Sequence, residues 1–216
     1  MLPLPVVEGL IFDLDGTLVD SAPDLALAIN LTRERFDMPP LAVGDVARHV
    51  GHGAENLVRH TVVVEPERFA QVFACYMEIY QDHLLDHTKP YPGVEATLKY
   101  FKDKVLGVVT NKPYCQTEAI LQGLGLFQQF DMVIGGDTLP TKKPDPAGVR
   151  AILEQFGLAP GRVVMVGDSP ADVQAGRGAG TLVAACLFGL TPPPILKNEQ
   201  PDFLLERMDD LTGLLA

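Results

Sequence analysis

Five short runs of mostly β-branched and aliphatic residues, each of strand length, limit what this chain can fold into. They lie at 6–13, 104–111, 131–134, 162–168 and 181–186, and their centres, such as Leu10-Ile11-Phe12 and Val163-Val164-Met165-Val166, are apolar at every position rather than at alternate ones. A strand apolar on both faces must be covered on both, as the strands of a parallel sheet are. Several segments between the runs have helical spacing instead: Val94, Leu98 and Phe101; Ala119, Ile120 and Leu124; Val149, Ile152, Leu153 and Phe156, the last followed by the stop signal Gly157. This alternation predicts an α/β fold, a Rossmann-like parallel sheet with right-handed crossovers. Ligands of such sheets bind outside the carboxyl ends of the strands. Asp13, Thr110 and Asp168 all fall there.

The first strand end carries Asp13-Leu14-Asp15-Gly16-Thr17. Two carboxylates two residues apart leave a strand on the same side. Gly16 permits a sharp turn, and Thr17 adds a hydroxyl and a backbone N–H. The pattern sets a nucleophile and a proton-transfer group side by side.

A long helical stretch then separates this motif from the next strand. Ser21 reads as the N-cap of a helix through Leu25, Ala28, Ile29 and Arg33 toward Phe36, and Pro39-Pro40 breaks the chain. A short helix over 43–49 ends at Gly51-His52-Gly53, another begins near Ala54, and 65–85 shows Phe69, Val72, Phe73, Tyr76, Ile79, Tyr80 and Leu84 at helical spacing. The stretch is too long for a crossover and too apolar for a loop. It predicts an all-helical cap domain inserted over the strand ends. The core is then 1–17 and 90–216, the cap 18–89, with hinges at 18–20 and 87–92. Thr191-Pro192-Pro193-Pro194 reads as a rigid surface connection before a final strand and helix over 202–215.

The net charge of −11, with no basic run to offset it, argues against nucleic acid or an anionic membrane as partner. No segment reads as a membrane-spanning helix. The opening stretch from Met1 to Glu8 has no basic region before an apolar one, and Cys75, Cys115 and Cys186 are few and widely spaced. Both features fit reduced thiols and a cytoplasmic location. On so acidic a protein, a small anionic substrate needs a locally cationic pocket or a metal.

Four motifs follow one another at strand ends: Asp13-Leu14-Asp15-Gly16-Thr17, Thr110-Asn111, Lys143-Pro144, and Gly167-Asp168-Ser169 with Asp172. With the helical insertion after the first, the chain resembles the phosphatase branch of the haloacid dehalogenase superfamily along essentially its whole length. The segments 18–25 and 50–58, Gly135-Gly136-Asp137-Thr138 and Pro201-Asp202-Phe203 resemble bacterial phosphoglycolate phosphatases. The resemblance implies hydrolysis of 2-phosphoglycolate to glycolate and phosphate through an aspartyl-phosphate.

By that resemblance Asp13 is the nucleophile and Asp15 the general acid and base. Thr110 and Asn111 meet the phosphoryl oxygens, assisted by Thr17, and Lys143 supplies fixed positive charge. A Mg²⁺ ion is implied on Asp13, the backbone carbonyl of Asp15 and Asp168, with Asp172 in or near its shell. Arg48, His52 and Arg59 are the cap side chains expected to reach a substrate carboxylate. The expected partner is a small phosphorylated metabolite, and the expected assembly a monomer or homodimer. The alternatives are a phosphatase for a sugar phosphate, pyrophosphate or a nucleotide, and a phosphomutase resembling β-phosphoglucomutase. Gly51-His52-Gly53, in place of an Arg- and Lys-bearing loop, favours hydrolysis over the mutase. A binding protein that merely kept the fold would have no need of Asp13, Asp15, Lys143 and Asp168 together.

Overall fold

The computed structural model describes residues 6–215; residues 1–5, which begin the opening stretch from Met1 to Glu8, and Ala216 lie outside them. The chain begins with β1 (Gly9–Phe12) and β2 (Val19–Asp20), followed by four helices: α1 (Ala22–Arg35), α2 (Val43–Ala47), α3 (Ala54–Thr61) and α4 (Phe69–Asp82). Next come β3 (Lys89–Pro90), α5 (Val94–Tyr100), β4 (Val105–Val109), α6 (Tyr114–Gly123), β5 (Met132–Ile134) and α7 (Ala147–Phe156). The remainder is β6 (Val163–Gly167), α8 (Pro170–Ala179), β7 (Leu182–Cys186), α9 (Pro193–Asn198), β8 (Phe203–Leu205) and α10 (Leu211–Leu214).

Six strands form one parallel sheet in the order β5-β4-β1-β6-β7-β8. Successive side chains of β1 enter different cores: Leu10 and Phe12 pack with Leu98, Ile120 and Leu211 on one face, Ile11 with Val149, Ile152 and Ala175 on the other. This is why the strand sequences are apolar throughout. Phe12 pairs with Val108 on one side and Val166 on the other, so β4, β1 and β6 end level with one another. The residues that follow them are thereby brought to one edge.

The helices α1–α4 lie between β2 and β3, which pair antiparallel as a two-residue ribbon, Val19 opposite Pro90 and Asp20 opposite Lys89. The chain thus leaves and re-enters the sheet domain through adjacent strands. Asp24, fully buried in the first turn of α1, ties this crossing together. Its carboxylate accepts from the backbone N–H of His87 (2.9 Å) and from the N–H and hydroxyl of Thr88 (both 2.7 Å). Burial alone would raise its pKa, but these donors outweigh burial and hold it below the ordinary 3.8.

Several local expectations need correction. Ser21 does occupy the N-cap position of α1 but makes no capping bond, because its hydroxyl is spent on Asp15. The 191–194 segment is not merely a connection: Pro193 starts α9, where its fixed φ and missing N–H suit the first turn. The helical stretch over 65–85 is a 3-10 turn, Pro66–Arg68, leading into α4. No helix among the described residues is long and apolar enough to cross a membrane.

Replacing Asp24 with Ala should cost about 3 kcal/mol, because it orphans several buried donors at once. Urea unfolding reads this directly. A carboxylate whose folded pKa is depressed stabilises above its unfolded pKa and loses that contribution as pH falls through the folded value. The wild-type advantage over Asp24→Ala should therefore shrink in acid, and an equal gap at all pH values would remove the clip.

Candidate active site

Asp13, one residue past β1, and Asp168, one residue past β6, are brought together by the level strand ends, and both are buried. Asp172 joins them from the first turn of α8. One of its oxygens closes a capping box, accepting from the Ser169 backbone N–H (2.9 Å) and hydroxyl (2.7 Å). The other oxygen accepts from Lys143 Nζ at 2.6 Å, and the same ammonium lies 2.8 Å from Asp13 Oδ1. One oxygen from each of Asp13, Asp168 and Asp172 falls within 4.8 Å of the others.

Asp168 is further held by the Leu190 N–H at 2.7 Å, with the Thr17 hydroxyl at a long 3.4 Å. Thr17 thus faces a carboxylate. Gly16 has a φ of +81°, and a Cβ there would stand 2.2 Å from Asp168 Oδ2, so only glycine lets the first motif pass this close.

Asp15 turns away from this cluster. Its carboxylate takes both oxygens to Lys112 Nζ at 3.0 Å, and its Oδ1 accepts from the Ser21 hydroxyl at 2.5 Å. Lys112 is itself buried. Neither Lys112 nor Ser21 stands out in the sequence as a site residue. The signal for Lys112 is its position directly after Thr110-Asn111, at the exit of β4.

Thr110 and Asn111 are buried at that exit. The Asn111 amide is occupied by backbone: Nδ2 donates to Gly51 O (2.8 Å) and Lys143 O (2.9 Å), and Oδ1 accepts from the Lys143 N–H (2.9 Å). This seats the Gly51-His52-Gly53 loop on the core, where Gly51 (φ +104°) and Gly53 (φ +89°) take conformations that side chains rarely adopt. A cavity lies beneath, with Asp13, Asp15, Thr110, Lys112, Gly51 and Tyr80 among its lining residues. Arg48 and His52 do not line it. Arg48 is exposed and paired with Asp45 at 2.9 Å, its near neighbour on the same helical turn, and His52 is exposed beside it. Arg59 likewise pairs on the surface with Glu55 at 2.6 Å.

Residues 10–186 match the family model of haloacid dehalogenase-like hydrolases. Phosphoglycolate phosphatases from Neisseria meningitidis and Aquifex aeolicus are each 37% identical to this chain over 95% of its length, covering 92% and 95% of their own. A crystal structure described as that of a predicted phosphoglycolate phosphatase from Haemophilus somnus superimposes with a TM-score of 0.92 and 31% identity, covering 96% of this chain and 97% of that one. The chain belongs to the haloacid dehalogenase-like hydrolase family.

In this hydrolase, three carboxylates and one ammonium leave two formal negative charges in a buried space. The crowding shows in the protonation of the group. Burial raises Asp13 to about 6 despite the opposing charge of Lys143, with Asp172 adding to the rise. Burial, then Asp172 and Asp13, push Asp168 well above the ordinary carboxylate range. Burial would lower the Lys143 pKa, but Asp13 and Asp172 outweigh it and raise it. An all-oxygen donor set short of two positive charges fits a hard divalent cation.

A carboxylate with a raised folded pKa destabilises the protein above that pKa, and a bound cation relieves the strain that protons relieve below it. Adding Mg²⁺ to the metal-free protein should therefore raise Tm more at about pH 7.5 than at about pH 5. Equal shifts at the two pH values would put the cation elsewhere.

Proposed function

We propose that this hydrolase is a Mg²⁺-dependent phosphomonoesterase that converts 2-phosphoglycolate to glycolate and phosphate through an aspartyl-phosphate on Asp13. One observation carries the mechanism: at the end of β1, one carboxylate is pinned by the Lys143 ammonium beside two further carboxylates, while its neighbour but one pairs with a second lysine in the wall of a cavity. The substrate is supported by the identity and coverage of the phosphoglycolate phosphatases that the chain resembles.

Asp13 Oδ1 is engaged by Lys143 Nζ and by the Leu14 N–H at 2.7 Å, which leaves Oδ2 to attack. A bond forms from Oδ2 to phosphorus as the bond from phosphorus to the leaving oxygen breaks. Asp15, which takes up a proton from solvent as substrate enters, hands it to that oxygen, and glycolate departs. Asp15, now a carboxylate, takes a proton from the water that attacks the phosphorus of the aspartyl-phosphate. Phosphate leaves, Asp13 is regenerated and Asp15 again holds a proton. Lys143 sets a fixed positive charge beside the attacking carboxylate, and the Thr110 hydroxyl faces the phosphoryl group. When bound, Mg²⁺ neutralises part of the phosphoryl charge, held by Asp13, the Asp15 carbonyl and Asp168, with Asp172 close by.

The helical insertion acts as a cap, and the Gly51 loop closes the cleft against bulk water. Three free cysteines, one of them exposed, suit a reducing cytoplasm.

Asp13→Asn should lower kcat at least about a thousandfold with an unchanged circular dichroism spectrum. Activity close to wild type in that variant would remove Asp13 as nucleophile. Substrate assignment is read from kcat/KM for phosphoglycolate, sugar phosphates, pyrophosphate and a nucleotide, with and without Mg²⁺. A preference for phosphoglycolate of at least about tenfold is expected. Slow hydrolysis of all four classes alike would overturn the substrate.

A further inference from the structure

The cavity beside Asp15 contains polar groups that the mechanism above does not use. Tyr76 and Tyr80, one turn apart on α4, are 0% and 1% exposed, and their rings stack with centroids 5.7 Å apart. Neither phenolic oxygen has a hydrogen-bond partner among the described residues, nor does Oε1 of the buried Gln116 on α6. All three residues line the cavity that also holds Asp15 and Lys112. Buried polar atoms are rarely left unpaired, so three around one small space point to a ligand that pairs them.

The character of the lining identifies that ligand. Burial pushes both phenols well above their ordinary pKa, so they stay O–H donors throughout the working range. Lys112 Nζ lies 4.7 Å from the centre of the Tyr80 ring. Its ammonium has three N–H bonds, and the two Asp15 oxygens at 3.0 Å engage two of them. Gln116 Nε2 meets only Met77 Sδ at 3.9 Å, so the amide is free to turn and donate as well. Leu25, Val50, Ala54 and Leu57 supply apolar wall, and Asp13 lies on the side of the reaction centre. The cavity, of about 30 Å³, has room for two or three water-sized groups. A pocket of that size, with the Lys112 ammonium and three side chains able to donate, suits a carboxylate on a one- or two-carbon stem.

We propose that Lys112, Tyr76, Tyr80 and Gln116 form the subsite for a carboxylate on the leaving group, restricting the enzyme to small carboxylate-bearing phosphate esters. The subsite rests on the phosphatase reading above. Lys112 bridges the leaving-group carboxylate to Asp15, which fixes the distance between the recognised charge and the oxygen to be protonated. Recognition thus comes from α4, α6 and the β4 exit, and not from the exposed Arg48 or His52.

The test compares phosphoglycolate with ethyl phosphate, which has the same phosphate and two carbons but no carboxylate. In the double variant Tyr76→Phe/Tyr80→Phe, kcat/KM for phosphoglycolate should fall about tenfold or more, mainly through KM, while ethyl phosphate changes less than about threefold. Because the hydroxyls have no partner in the free protein, Tm should hold or rise. Lys112→Met, and each single Tyr→Phe variant should the double fail to fold, should narrow the same substrate ratio. Calorimetric binding of phosphoglycolate to Asp13→Asn, with and without the Phe pair, separates recognition from turnover, and the Phe pair should weaken it about tenfold. A wild-type preference for phosphoglycolate that survives every one of these variants overturns the subsite alone, as does a parallel loss on both esters in the Tyr76→Phe/Tyr80→Phe variant. A wild type that does not distinguish the two esters overturns the substrate reading itself.

Discussion

The buried ammonium of Lys143 holds the centre of this structure in register. Its Nζ joins Asp13 from the end of β1 to Asp172 from the start of α8, two elements that the sheet alone only brings near one another. Burying an ammonium is expensive unless its partners are close and fixed. Here Asp172 is fixed by its own capping box, Asp13 by the Leu14 N–H, and the backbone of Lys143 by the Asn111 amide on both sides of the peptide. The arrangement still falls short of neutrality by two charges. That deficit makes the site receptive both to a divalent cation and, once the cation is present, to a phosphate.

Several residues serve folding and chemistry together. Asp172 ends one element of hydrogen bonding and begins another: one oxygen caps α8, the other meets Lys143. Ser21 stands where a helix cap belongs and gives its hydroxyl to Asp15 instead. The start of α1 is not left unsupported by this. Pro23 in its first turn presets the backbone, and Asp24 ties that turn to His87 and Thr88 across the chain crossing. The local cost of an unmade cap is offset a few residues later by a stronger long-range tie.

What the sequence reveals follows from which interactions are local. The strands are legible because burial on both faces leaves uninterrupted apolar runs, and Asp13, Thr110 and Asp168 are legible because such runs end at them. α8 is harder to see, since Pro-Ala-Asp-Val-Gln-Ala-Gly-Arg-Gly-Ala has few large apolar residues to mark a period. Arg48 resembles a substrate ligand only until its neighbour Asp45 is seen to take it. Lys112 follows Thr110-Asn111 plainly enough, but its direction toward Asp15 depends on how β4 lies beside β1. Tyr76 and Tyr80 are the clearest case. Their spacing on α4 is that of ordinary core residues, and both rings are core; only the packed structure exposes that their hydroxyls lack partners.

Those hydroxyls bear on how specificity is kept in so small a protein. A buried hydroxyl without a partner costs about 1–3 kcal/mol, a large share of the stability of an ordinary domain. Phenylalanine at either position would fill nearly the same space without that cost. A ligand that supplies acceptors at these positions recovers that cost on binding. In the proposed subsite the same hydroxyls meet the oxygens of a bound carboxylate, so the groups that weaken the packing are the ones that read the ligand. Asn111 adds the geometric half of the argument. Its amide grips Gly51 of the helical insertion and the backbone of Lys143 at once. The loop that roofs the cleft and the lysine that orders the carboxylates are therefore set by one side chain, and a ligand that fits the roof meets Asp13 already in place.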